Sequence, residues 1–145
     1  MDRFVVRSFT TADTKRVILL WSECGLIRPW NDPELDIQRK LADGSDLFLV
    51  GELDGEIVSS VMGGYDGHRG WMNYLSVAPA VQGRGCGTAL IEVLEEKLIS
   101  LGCPKLNLQV RTENKAVIQF YQSQGYVVDD AISLGKRLIA DDASA

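Results

Sequence analysis

The chain is poor in the residues that hold metals and cross-link polypeptides. It has a single histidine, His68, and three cysteines, Cys24, Cys86 and Cys103. An odd cysteine count with no C-x-x-C spacing argues against a disulfide framework or a zinc site and points to free thiols in a reducing compartment. No metal is expected. Positive charge is also in deficit: 15 Lys and Arg stand against 20 Asp and Glu, a net charge of −5. Without a basic stripe to neutralise phosphates, a nucleic acid is not the expected partner. No apolar run approaches the ~20 residues that span a bilayer. The start, Met1-Asp2-Arg3-Phe4, lacks a signal-peptide core. The expectation is a cytoplasmic protein with no membrane partner. Repeats, low-complexity tracts and long linkers are missing too, so residues 1–145 read as one domain. Apolar residues make up 46% of the chain, which supports a real core and excludes a disordered reading.

The local patterns alternate between the two periodicities. Phe4 to Phe9 reads as extended. Thr10 with Asp13 forms a capping-box-like pattern, and Val17, Leu20, Trp21 and Cys24 recur at helical spacing up to Gly25. Asn31 or Asp32 then caps a second helix, with Pro33 at its first position and an end near Gly44. Leu47 to Leu53 and Glu56 to Met62 read as strands joined by the hairpin signal Asp54-Gly55. Trp71 to Val77 is a further strand. A third helix runs to about Leu101 on a stripe of Leu90, Leu94, Leu98 and Leu101. Leu106 to Val110 reads as a buried strand and Asn114 to Ser123 as a short helix. Tyr126 to Val128 and Ile132 to Lys136 read as a closing antiparallel pair. This order predicts a mixed sheet covered by helices.

Between the Trp71 strand and the third helix stands Val81-Gln82-Gly83-Arg84-Gly85-Cys86-Gly87-Thr88, with glycine at every second position from 83 to 87. Glycine is unfavourable in a helix by about 1 kcal/mol against alanine. At a helix mouth, however, it lets backbone N–H groups approach a ligand, and the unpaired N–H groups and dipole there favour an anion. A phosphate seat is one reading; a glycine-rich connection with no ligand is the other. The spacing fits neither the G-x-G-x-x-G dinucleotide pattern nor the Walker pattern.

Gln82-x-x-Gly85-x-Gly87 resembles the Q/R-x-x-G-x-G/A signature of the GNAT superfamily of N-acetyltransferases, in the same place between fourth strand and third helix. Asn114, Phe120-Tyr121 and Gly125-Tyr126 resemble that family's second cofactor motif, and the element order is similar along the whole chain. The resemblance implies a mixed α/β fold, with a mostly antiparallel sheet of about seven strands flanked by about four helices. It implies acetyl-CoA as cosubstrate and direct attack by a primary amine, on a small molecule or a peptide, in a ternary complex. The backbone of Gly83, Arg84, Gly85, Cys86, Gly87 and Thr88, with Gln82, would seat the pyrophosphate. Leu75 and Val77 would hydrogen-bond the pantetheine arm, the Val77 N–H facing the thioester oxygen. The protein would act as a monomer or homodimer. A non-catalytic acetyl-CoA sensor or interaction module on the same fold is the alternative.

Within that frame Tyr121 is the proton donor to the departing thiolate; from the helix pattern alone it reads equally as a core aromatic with its hydroxyl at the rim. Asn114 reads as a coenzyme contact, as an N-cap, or as both. Some family members carry a glutamate base where this chain has Gln109, so a water chain, or Asp66 and His68, is left to take the amine proton; a lone loop histidine is otherwise surface filler. Asp66 and His68, in the turn after the second hairpin strand, and Trp30, between the first two helices, are the acceptor-side candidates, with surface packing as the alternative. Cys86 reads as the variable position of the loop rather than as a nucleophile.

Overall fold

The computed structural model describes residues 3–141. Its elements run β1 (Phe4–Ser8), α1 (Thr14–Glu23), α2 (Pro33–Asp43), β2 (Phe48–Leu53), β3 (Glu56–Tyr65), β4 (Gly70–Val77), α3 (Cys86–Ser100), β5 (Leu106–Asn107) and α4 (Lys115–Ser123), with short 3₁₀ turns before α1 and after β4. The five strands form one sheet in chain order, antiparallel from β1 to β4, with β5 parallel to β4. The architecture is the mixed α/β class that the sequence predicts.

The starts and turns follow from local chemistry. The Asp13 carboxylate accepts from the Thr10 N–H at 2.8 Å, holding the turn into α1. Asp32 caps α2 by accepting from the Glu34 and Leu35 N–H groups, and Pro33 opens the helix. Asp54 and Gly55 both have positive φ, 52° and 84°, as a two-residue I′ hairpin requires.

Helices cover both faces of the sheet. On one face α3 and α4 set Leu90, Ile91, Leu94, Leu98 and Tyr121 against Leu47, Leu49, Val61 and Met72. On the other, α1 and α2 set Val17, Trp21 and Ile37 against Phe48, Val50, Ile57 and Met62. This double cover explains why β2 is buried at four successive residues, 48 to 51, rather than at alternate ones.

Among the described residues the sheet has five strands, not about seven. The expected pair at Tyr126–Val128 and Ile132–Lys136 does not form, and β5 is two residues long rather than five. After α4 the chain is held by side chains instead of a ladder. Lys105 Nζ pairs with Asp129 at 2.8 Å, and the Gln109 amide donates to the Ser133 hydroxyl. Asp129 and Asp130 interrupt the apolar run, and Val127, Val128, Ile132 and Leu134 stay exposed. Short β-branched runs register propensity, but a strand needs a partner edge.

Candidate functional site

The site begins where two strands part. β4 and β5 pair only at Gly70–Leu106 and Trp71–Asn107. Beyond those residues the edge of β4 from Met72 to Val77 has no strand partner on that side, so its outward backbone groups can serve a ligand. A register shift in the β3–β4 ladder falls between Ser60 and Met62, and Tyr74 opposite it takes a left-handed φ of 55°. A bulge of this kind bends a strand and re-aims its side chains. The parting leaves a groove of about 710 Å³ lined by α2, β4, the chain after β5, and α4. That volume lies in the ~300–1,000 Å³ range of small-ligand sites.

The glycine-rich loop follows β4 in the chain and leads into α3. Gly83 and Gly85 hold φ of 80° and 85°, a conformation that only glycine adopts without strain. Gly87 has a different reason: a Cβ there would meet Val77 Cγ2 at 3.3 Å and Phe120 Cζ at 3.6 Å, so α3 sits close against β4 and α4. The first helical bond of α3 runs from the Ala89 N–H to the Gly85 carbonyl at 3.0 Å. The N–H groups of Cys86, Gly87 and Thr88 therefore have no helical acceptor. These features fit an anion on a 15-residue helix. Cys86 is buried and Gln82 is exposed. Gln82 turns back: its Nε2 donates to the Val77 carbonyl at 3.0 Å, and the Cys24 thiol donates to the same oxygen at 3.2 Å. Both side chains clamp the end of β4. Burial pushes the Cys24 thiol up in pKa.

Tyr121 is 8% exposed and lines the groove together with Leu75, Gln109 and Asn114. Its ring meets Phe120 and Tyr126 edge-on, with centroids 5.3 and 5.8 Å apart. Tyr126 is itself fixed by donating to Glu95 at 2.8 Å. Burial pushes the Tyr121 hydroxyl up to about 12. Asn114 stands at the N-cap of α4 without a side-chain capping bond, which leaves its amide available to the groove.

The acceptor-side expectations separate. Trp30 is 53% exposed, and the Arg111 guanidinium lies over its ring at 5.8 Å, which sets Trp30 beside the groove. Asp66 and His68 are not among the lining residues. They form the β3–β4 turn, where the Asp66 carboxylate accepts from the His68 and Arg69 N–H groups, both at 2.7 Å. Those bonds hold it below the usual carboxylate range. Val77 and the loop from Gln82 to Thr88 also lie outside this lining set.

Sequence reasoning missed the wall facing Tyr121. Tyr74 stacks on the buried Trp21 at 3.9 Å and donates its hydroxyl to Asp36 at 2.6 Å. Asp36, Arg39 and Lys40 come from α2 and Arg28 from the loop before it. Asp36 stands in the first turn of α2, where acidic residues are common for dipole reasons alone, and a left-handed tyrosine has no sequence signature. Among the described residues no group of His, Cys, Asp and Glu could hold a metal, and no helix is long and apolar enough to cross a membrane.

Comparison with known proteins identifies the family and the fold. The sequence model of the acetyltransferase (GNAT) family matches residues 15–126. A protein of Yersinia enterocolitica named an acetyltransferase is 58% identical over 136 residues, spanning 94% of this chain and 96% of that one. Ard1 from Thermoplasma volcanium superposes with a TM-score of 0.75 at 22% identity, over 87% of this chain and 84% of its own. AAC(6')-Iy, solved with a bisubstrate analogue of coenzyme A, also gives 0.75, at 16% identity over 93% and 99%. The two superpositions concern the fold; the family match and the close relative concern descent, and on them the chain belongs to the GNAT family and is an acetyltransferase.

Proposed function

We propose that the protein transfers an acetyl group from acetyl-CoA to a primary amine by direct attack within a ternary complex. The observation that carries this reading is the junction of two features on one strand: β4 parts from β5, and the glycine-rich mouth of α3 follows directly. The coenzyme supplies a thioester. The chain's own groups do the rest. The N–H groups of residues 83 to 88 bind the pyrophosphate, with Gln82 bracing the loop. Leu75 and Val77 bind the pantetheine arm through their backbone, and the Val77 N–H stabilises charge developing on the thioester oxygen. Asn114 contacts the arm from α4. Tyr121 hydrogen-bonds the departing sulfur. Gln109, where some family members carry a glutamate, cannot accept the amine's proton, which passes to water entering the groove. We place the enzyme in the cytoplasm on its three unbridged cysteines.

The test is coenzyme binding followed by transfer. Acetyl-CoA is expected to raise the melting temperature, whereas NAD and ATP leave it alone. At ~100 times its Kd a native-state ligand adds roughly 2.7 kcal/mol, well within reach of a thermal scan. Thiol release dependent on an added amine completes the assignment. No shift at millimolar acetyl-CoA would overturn it, and a shift with no transfer to any amine would reduce the protein to a coenzyme-binding module.

A further inference from the structure

We infer that the acceptor is a small amine that also carries an anionic group, a carboxylate or a phosphate, held by Arg28 and Arg111 while its ammonium faces Asp36; this rests on the acetyl-transfer reading above. The charge of the groove is the starting point. The chain as a whole is at −5, yet the groove is lined by four cations, Arg28, Arg39, Lys40 and Arg111, and by one carboxylate, Asp36.

Two of the four cations are already matched. Arg39 donates to Asp141 at 2.7 Å, and Lys40 lies 3.4 Å from Asp43. Arg28 and Arg111 have no ion-pair partner among the described residues. They stand on two different walls, one before α2 and the other between β5 and α4. Arg111 is steadied by the Trp30 ring at 5.8 Å rather than by a carboxylate. A guanidinium presents a planar fork of donors that suits a carboxylate or phosphate two bonds at a time.

The coenzyme's own pyrophosphate does not account for these charges. Its proposed seat is the loop from Gly83 to Thr88, and none of those residues lines the groove. Asp36 supplies the counter-charge for the amine. Its Oδ2 accepts from Tyr74 at 2.6 Å, and Oδ1 meets Arg39 at 3.5 Å, a long contact that leaves lone pairs for an incoming ammonium. Size sets the class: about 710 Å³ must admit the thioester end of the coenzyme as well as the acceptor. A small zwitterion fits that division.

The experiment is a panel of amines scored by thiol release from acetyl-CoA. Alanine and glutamate form the carboxylate arm, and phosphoethanolamine the phosphate arm. Alaninamide, ethanolamine and spermidine are the neutral and polycationic counterparts. One anionic arm is expected to exceed its uncharged counterpart in kcat/KM by roughly 10- to 100-fold, the value of one charge-assisted contact, and the winning arm identifies the anion. Arg28→Gln and Arg111→Gln are expected to raise the acceptor KM by a similar factor with the acetyl-CoA Kd unchanged, and Arg28→Lys to recover part of the loss. Equal or better turnover of alaninamide, ethanolamine or spermidine overturns the inference and leaves acetyl transfer standing. So does a pair of glutamine variants whose defect is in acetyl-CoA affinity. Coenzyme binding without thiol release in any arm overturns acetyl transfer itself, and the acceptor with it.

Discussion

A buried phenol is a poor acid, and that limits what Tyr121 can do. With its hydroxyl pushed up to about 12 and an ordinary thiol near 8.5, full proton transfer to the sulfur is uphill by ~5 kcal/mol at 1.36 kcal/mol per unit. The role left to Tyr121 is a hydrogen bond that strengthens as charge gathers on the leaving sulfur. Tyr121→Phe keeps the ring and its contacts with Phe120 and Tyr126, so coenzyme affinity and melting temperature are expected to hold. A fall of kcat and kcat/KM together, by roughly 10- to 150-fold as for a lost hydrogen bond to a charged group, would mark an interaction made in the transition state; wild-type kcat would remove Tyr121 from the mechanism. The same pKa sets the pH profile. Tyr121 stays protonated at every pH below about 12, so it contributes no alkaline limb in the working range. The rate should rise with pH as the acceptor loses its proton, and the rise should extend above the amine's own pKa, because the Asp36 carboxylate favours the ammonium form. A fall between pH 8 and 10 in stopped-flow or thiol-release assays would contradict this account of Tyr121. At this scale, Tyr121 and Asn114 were legible because they belong to a motif of fixed spacing. Tyr74, Asp36, Arg28 and Arg111 were not, since their meeting depends on a strand bulge and on two loops arriving at one place.

At the scale of elements, the loop between β4 and α3 divides its labour, and substitutions can separate the parts. Gly83 and Gly85 supply left-handed backbone, whereas Gly87 supplies close approach to Val77 and Phe120. Asn and Asp are the side chains that best tolerate left-handed φ. Gly85→Asn and Gly85→Asp therefore carry similar backbone strain and differ in charge. Both are expected to fold with melting temperatures close to one another. The aspartate variant should lose acetyl-CoA binding, because a carboxylate stands where the pyrophosphate belongs, and the asparagine variant should keep most of it. Equal affinity of the two in isothermal titration would move the phosphate seat elsewhere. Elements with their own punctuation were readable from the sequence. Asp32-Pro33 begins α2 and Asp54-Gly55 turns the β2–β3 hairpin, each where a cap or a positive φ is chemically specified. The last two strands were misread because Tyr126–Val128 and Ile132–Lys136 have β propensity but no edge to pair with, β5 having ended at Asn107. The groove itself was invisible for the same reason: where two strands part is a property of the sheet and not of either segment.

On the scale of the whole molecule, the end of the described chain returns to the groove. Asp141 is the joint. Its Oδ1 receives Arg39 at 2.7 Å and Arg137 at 2.6 Å, and its Oδ2 accepts from the Asp32 N–H at 2.9 Å, at the start of α2. Arg137 also donates to Asn31 at 2.8 Å. One carboxylate with 1% of its side chain exposed thus ties residues 137–141 to the loop and helix that form the acceptor wall. These bonds, the Arg39 guanidinium first, hold the Asp141 carboxyl well below the usual carboxylate range. The linkage then has a definite sign. A carboxylate whose folded pKa is depressed contributes stability above its unfolded value, about 3.9, and loses it as pH falls towards the folded value. Asp141→Asn keeps the shape and one acceptor oxygen but removes the charge. Its melting temperature is expected to lie below wild type at neutral pH, and the gap to narrow progressively below about pH 4, where the unfolded wild-type chain takes up the proton that the folded carboxylate resists. A second consequence is functional. Arg39, released from Asp141, adds an unmatched cation beside Asp36, so the amine end of the acceptor should bind less well while acetyl-CoA affinity holds. Melting curves from pH 7 to pH 2, with acceptor KM measured on the same variant, test both. A gap independent of pH would mean that Asp141 acts by packing alone, and an unchanged KM would detach the tail from the acceptor wall.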